Sequence, residues 1–186
     1  MQEQGQSESE LLHNRREKLN TLQARGIDAF GGRFETTHQP GALKKEFAPD
    51  LEVQIGGRMT ARRVMGKAVF FDVSDFTGRI QCYVNKKEIG DEAFELLTDL
   101  LDIGDWVGVE GKTFVTRTGE DSVHTSKITV LSKSLRPMPD KFHGVQDREI
   151  KYRQRYLDLI SNEKSRDTFV TRSLMVAEIR RYLQDR

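Results

Sequence analysis

A chain of 186 residues, 36% hydrophobic and 32% charged, can bury one ordinary core and part of another. Thirty basic against twenty-nine acidic side chains leave a formal net charge of +1, so any nucleic-acid partner must be held by local clusters and not by bulk charge. The single cysteine, Cys82, excludes an internal disulfide and a Cys-rich zinc site, and no apolar run approaches the ~20 residues that span a bilayer.

The chain opens on MQEQGQSESE, which is neither a secretory signal nor an Arg-rich transit peptide, so the expected location is cytoplasmic. Residues 1–6 are expected to be disordered. Ser7 with Glu10 three residues later fits a capping box, and Leu11, Leu12, Leu19 and Leu22 give a helical stripe ending near Gly26. This helix also carries Arg15, Arg16, Lys18 and Arg25. They form either a solvated face or a basic helix lying along a phosphate backbone. From Ile27 to Asp50 the text is irregular and reads as a connector, with one short helical piece around Ala42–Phe47. Gly31-Gly32 is a turn there and not a phosphate loop, since no strand precedes it and no Lys-Ser/Thr follows.

Leu51–Met59 alternates Leu51, Val53 and Ile55 inward with Glu52, Gln54 and Arg58 outward, which predicts a first strand. Lys67–Ser74 and Arg79–Val84 are the second and third, joined across Asp75–Gly78. Their inward faces are Val69, Phe71 and Val73, then Ile80, Cys82 and Val84. The outward faces hold Phe70 and Asp72, then Arg79, Gln81 and Tyr83. Glu92–Leu101 has helical spacing, Trp106–Thr116 is a fourth strand, Arg117–Asp121 a hairpin tip and Ser122–Ser132 a fifth strand. Val123 falls out of phase with Ile128 and Val130, which calls for a bulge, or a bend at an edge.

Three strands, a helix and two strands within roughly 80 residues is the order of an oligonucleotide-binding barrel, which binds across its second and third strands and flanking loops. The expected fold class is mainly β with flanking helices: a five-stranded OB-fold Greek-key barrel plus an N-terminal helix and a C-terminal helical segment. Ser134–Asp140 then reads as an extended linker, Ile150–Ile160 as a helix, Ser161-Asn162 as a break and Lys164–Arg186 as a last helix. The apolar positions of that last helix are too few to close a domain, so it requires a partner or a second copy of itself.

The chemistry is that of binding. A ring such as Phe70 stacks on a base, an amide such as Gln81 offers donor and acceptor to a base edge, and Arg63 and Glu120 could reach in from loops. Taken singly, each has a plain alternative. Phe70 could be a second-face core residue, Gln81 an ordinary exposed strand residue, and Arg58, Arg62, Arg63 and Lys67 the solubilising residues of a turn. Their convergence on one face favours function. No catalytic constellation is present: His13, His38, His124 and His143 lack ligand spacing, and Cys82 sits on the core face as an inert thiol.

Two stretches then carry a specific resemblance. GRMTARRVMGKAVFFDVSDFTGRIQCYV resembles the anticodon-binding barrel, and LRPMPDKFHGVQDREIKYRQRYLDLI the connector to the catalytic domain, of the bacterial class II lysyl-tRNA synthetase family. GDWVGVEGKTFVTRTGEDSVH is similar to that family's fourth and fifth strands and HNRREKLNTLQARGIDAF to its leading helix. The barrel motif is shared with aspartyl- and asparaginyl-type relatives, whereas the connector favours the lysyl member. One departure is Phe30-Gly31, where the family usually has an aromatic followed by proline.

The resemblance implies a division into 1–50 as basic helix and connector, 51–133 as anticodon-binding domain, 134–160 as linker, and 161–186 as the start of a class II catalytic domain. It implies that Phe70 stacks on the central anticodon uridine, that Arg63 and Gln81 read it, and that Glu120 contacts an adjacent base. Arg15, Arg16 and Lys18 would give weaker contacts to the tRNA backbone. The implied partner is a lysine-specific tRNA, with no membrane and no metal site. The full-length enzyme would be a homodimer that uses ATP and Mg2+ to ligate lysine through a lysyl-adenylate. This chain, ending before the ATP-binding motifs, is expected to hold no cofactor or catalytic residue. The alternatives are a free-standing OB-fold module for protein interaction or for general single-strand binding.

Overall fold

Alternating apolar side chains draw five strands into a closed barrel, in the computed structural model that describes residues 7–139 and 145–186. The strands are β1 (Glu52–Met65), β2 (Ala68–Ser74), β3 (Arg79–Asn85), β4 (Trp106–Val115) and β5 (Asp121–Ser132), in the spatial order β1-β2-β3-β5-β4. Only β3 and β5 run parallel. Every predicted inward residue of the second and third strands is in the core, with Val69, Phe71, Val73, Ile80, Cys82 and Val84 all buried. Side chains of this kind each contribute about 1.5–3 kcal/mol when fully buried.

Helix α1 (Glu8–Ala24) begins in the capping box read from the sequence: Glu10 donates its backbone N–H to Ser7 Oγ, and Ser7 donates its own to Glu10 Oε2 at 2.9 Å. Helix α2 (Pro40–Lys45) starts two residues earlier than the predicted Ala42, because proline is preorganised for the first helical turn. It lies tight on the β2–β3 turn. A Cβ at Gly41 would stand 2.1 Å from the Thr77 carbonyl oxygen, so only glycine permits this approach. Between β3 and β4 an unpredicted short helix, α3 (Lys86–Ile89), comes first, and the predicted helix Glu92–Leu101 is α4 (Asp91–Glu95) followed by a π-helical turn over Leu96–Leu100.

One strand prediction is corrected, and an alternative left open for another is resolved. β1 does not stop at Met59 but runs to Met65, through text whose arginines suggested a turn. Arg62, paired with inward Phe71, sends its guanidinium to the carbonyls of Leu97 (2.5 Å) and Leu101 (2.6 Å), where the π turn ends. A charge is tolerated on this strand because it caps helix carbonyls that have no intrahelical donor. In β5 the phase slip is a bulge at Ser126: Lys127 pairs with Glu110 and Thr125 with Gly111, leaving Ser126 between them. It is not at an edge, since β5 lies between β3 and β4 in a closed barrel.

The chain divides into two compact units at Pro137/Met138. The second contains α5 (Arg148–Arg153), α6 (Arg155–Ser161) and α7 (Glu163–Gln184). The predicted helix Ile150–Ile160 is broken at Gln154, whose φ −119° and ψ 56° are not helical. Asn162 caps α7, accepting from the Ser165 N–H at 3.3 Å, and the apolar residues of α7 are exposed. The disorder expected of residues 1–6 and part of the predicted linker fall outside the described residues. Among those described, no helix is long and apolar enough to cross a membrane.

Candidate nucleic-acid interface

The strand register brings three of the predicted site residues onto one outer surface. Arg63 on β1 pairs with Phe70 on β2, Phe70 with Tyr83 on β3, and Tyr83 with His124 on β5. In the adjacent row Asp72 pairs with Gln81, and Gln81 with Ser122. Alternation along each strand turns all of these away from the core. Arg63 therefore stands on a strand, not on the loop expected for it, and is exposed beside Phe70.

Phe70 is half-buried and belongs to an aromatic cluster. Its ring centroid lies 5.0 Å from that of Tyr83, tilted 45°, and Tyr83 in turn contacts Phe114 (5.8 Å) and His124 (5.3 Å). These contacts fix the Phe70 ring from one side, so a flat ligand stacking on the other would cost it little rotamer freedom. The Oε1 of Gln81 is buried and accepts no hydrogen bond from the described residues. Leaving such an acceptor unpaired costs about 1–3 kcal/mol, and an N–H donor of the kind a base edge carries would relieve it. Sequence reasoning passed over Phe114 and His124 as parts of this surface. Phe114 follows inward Thr113 and was legible from alternation, whereas His124 was hidden by the Ser126 bulge, which obscures the phase of β5.

Glu120 closes the β4–β5 hairpin, donating its backbone N–H to Thr116 Oγ1 at 2.9 Å. Lys44 of α2 reaches across to it, Nζ to Oε1 2.8 Å. That hydrogen bond, the Lys44 charge and the more distant Arg79 charge hold the Glu120 carboxyl below the usual range, so it remains an ionised acceptor. Two residues on, Ser122 is the partner of Gln81, which places the Glu120 hairpin at the end of the Phe70 face.

The basic helix is different. Arg15 is 2% exposed, and its Nη1 donates to the carbonyls of Ser134 (2.9 Å) and Arg136 (3.2 Å), its Nη2 to Ile103 (3.1 Å). It ties α1 to the barrel and does not face a phosphate. Lys18 is likewise engaged, 2.5 Å from Asp102 Oδ1. Of the three helix residues expected at a tRNA backbone, only Arg16 is exposed. Beneath Lys18 a buried ion cluster holds the junction together. Lys133 Nζ contacts Asp102 Oδ2 (2.5 Å) and Asp105 Oδ2 (2.7 Å), and Asp105 Oδ1 accepts from the Ser134 N–H at 2.7 Å. Burial pushes Asp102 up, but the Lys133 and Lys18 ammoniums outweigh it and hold this carboxyl low.

Asp75 builds the β2–β3 turn, its Oδ1 accepting from the Thr77 N–H (2.7 Å), the Thr77 hydroxyl (2.6 Å) and the Gly78 N–H (3.2 Å). Burial pushes the Cys82 thiol up, which keeps it protonated and unreactive. No three His, Cys, Asp or Glu residues among those described converge to hold a metal ion. Gly31 has φ +54°, and a Cβ there would lie 2.2 Å from the Leu131 carbonyl oxygen. Proline, restricted to φ near about −65°, cannot take this conformation, so the departure at Phe30-Gly31 corresponds to a local backbone path of its own.

A closed five-stranded barrel with this outer face defines the class, and residues 53–131 match the family described as an OB-fold nucleic acid binding domain of the tRNA anti-codon type. The barrel is an OB-fold. Over 92% of its length the chain is similar to lysine–tRNA ligases, 50% identical over 180 residues to that of Bacillus cytotoxicus and 51% to those of Bacillus cereus and Bacillus mycoides. It corresponds to their N-terminal region and spans 36% of the length of each.

Proposed function

We propose that this chain recognises the anticodon loop of a lysine tRNA, as the N-terminal region of a lysyl-tRNA synthetase. Phe70 stacks on the central anticodon base, Arg63 and Gln81 bond its edge, and Glu120 accepts from a neighbouring base at the end of the face. The observation that supports this most is the strand register, which collects Arg63, Phe70 and Gln81 from three strands onto one outward surface. Arg16 alone of the helix residues contributes a phosphate contact. In the full-length protein, which would ligate lysine to the tRNA through a lysyl-adenylate with ATP and Mg2+, this face chooses the tRNA.

Titration of the chain with a lysine-tRNA anticodon stem-loop, and with the same stem-loop changed at the central base, tests the reading. The changed loop should bind more weakly by about 1–3 kcal/mol, the cost of leaving the groups that bond the base edge unpaired, since stacking itself tolerates any base. Equal affinities would remove the sequence-reading claim. The exposed apolar residues of α7, among them Leu174, Ile179 and Leu183, support a homodimer in the full-length protein. Sedimentation of that protein across a range of concentrations is the check, and a monomer throughout would refute it.

A further inference from the structure

The β2–β3 turn carries a feature that the anticodon reading does not use. Phe76, at its tip, is 74% exposed, more than any other large hydrophobic side chain among the described residues. A ring in water at a mobile tip would mean little. This tip is fixed: besides the three bonds to Asp75 Oδ1, the Asp75 N–H donates to the Gly78 carbonyl (3.0 Å) and the Gly41 N–H of α2 to Thr77 Oγ1 (3.0 Å). None of these bonds needs an aromatic residue at position 76. The ring is held outward by a scaffold that packing does not require to bear one.

Its surroundings select the ligand. Arg79, one residue beyond the turn, has a side chain 63% exposed with its Nη1 3.4 Å from Asp72 Oδ2, and α2 behind the turn carries Lys44, which is paired with Glu120. An exposed ring three residues before a largely exposed arginine suits a base with its phosphate. A single ring is far short of the ~1,200 Å² that a stable protein interface buries.

We propose that Phe76 is a second stacking platform, taking an unpaired nucleotide next to the one that meets Glu120. The proposal rests on the anticodon-loop reading and extends it from the centre of the face to its end. Phe70 and Phe76 are six residues apart, at most ~20 Å along the chain. That span lies within the ~4–16 nucleotides that one OB-fold occupies.

The test uses the whole chain and the lysine-tRNA anticodon stem-loop, with 2-aminopurine placed singly at the loop positions flanking the anticodon. Phe76→Ala should weaken binding roughly five- to hundredfold and abolish quenching at one flanking position. It should also leave the thermal midpoint and the preference at the central base unchanged. Phe76→Trp should restore binding and Phe76→Leu should not, which separates stacking from apolar bulk. Wild-type affinity in Phe76→Ala or Phe76→Leu would overturn the proposal. Phe70→Ala serves as the control for the reading beneath it. If neither Phe70→Ala nor a changed central base alters affinity, the anticodon reading falls and Phe76 with it. A loss confined to Phe70→Ala removes only the second platform.

Discussion

Arg15 and Arg16 are neighbours in sequence, yet α1 turns one into the protein and leaves the other in water. Arg15 falls on the same helical stripe as Leu11, Leu19 and Leu22, spaced four, four and three residues apart, so the periodicity that gave the helix also marked this arginine as inward. Its charge obscured that signal, because an arginine is buried only where acceptors await it, and the carbonyls of Ile103, Ser134 and Arg136 are too remote in sequence to foresee. Arg15→Ala should therefore lower stability by at least about 1.5–3 kcal/mol, the worth of a hydrogen bond to a charged group, in urea unfolding. Arg16→Ala should leave stability within ~0.5 kcal/mol and reduce the salt slope of RNA binding by about 1. A stable Arg15→Ala protein that loses salt dependence would reverse these roles.

At the scale of elements, alternation made the barrel legible, and the core faces of β2 and β3 could be read residue by residue. The ends of elements were not. β1 extends because Arg62 caps a π turn about 35 residues away, a long-range satisfaction that no local pattern carries. Residue placement on the face followed the same division. Phe70 and Gln81 were fixed by strand phase, whereas Arg63 needed the true end of β1 to leave its supposed loop. The junction of α1, β4 and the chain leaving β5 depends on Lys133, whose side chain is 0% exposed between Asp102 and Asp105. Replacing it with methionine strands buried carboxylates and should cost about 3–5 kcal/mol, against near-neutrality if the cluster contributes only packing. Asp102 also gives the junction a pH dependence. Its folded pKa lies below the unfolded value of 3.8, so the folded form binds fewer protons in acid. The stabilisation is full above the ordinary carboxylate range and is lost as pH falls through the lower folded value. Urea midpoints measured downward from neutral pH should decline only in that acidic window in the wild type, and a decline beginning near neutrality would contradict the assignment.

For the molecule as a whole, a net charge of +1 provides no general attraction to RNA, so affinity must be concentrated where cations and rings meet. The barrel offers one surface of that kind, with Arg63 beside Phe70 and Tyr83, and Arg79 at the end of the same hairpin. The helix, whose cations the sequence offered only as weaker backbone contacts, holds the junction through Arg15 and Lys18. Specificity should therefore reside in the barrel and survive moderate salt better than total affinity does, since base contacts release no counterions. The most direct measurement is a double-mutant cycle between Phe70→Ala and a stem-loop lacking the central anticodon base. If the ring stacks on that base, the two losses overlap and the cycle shows a coupling of about 1–3 kcal/mol. Losses that simply add, with no coupling, would show that Phe70 and the central base never meet.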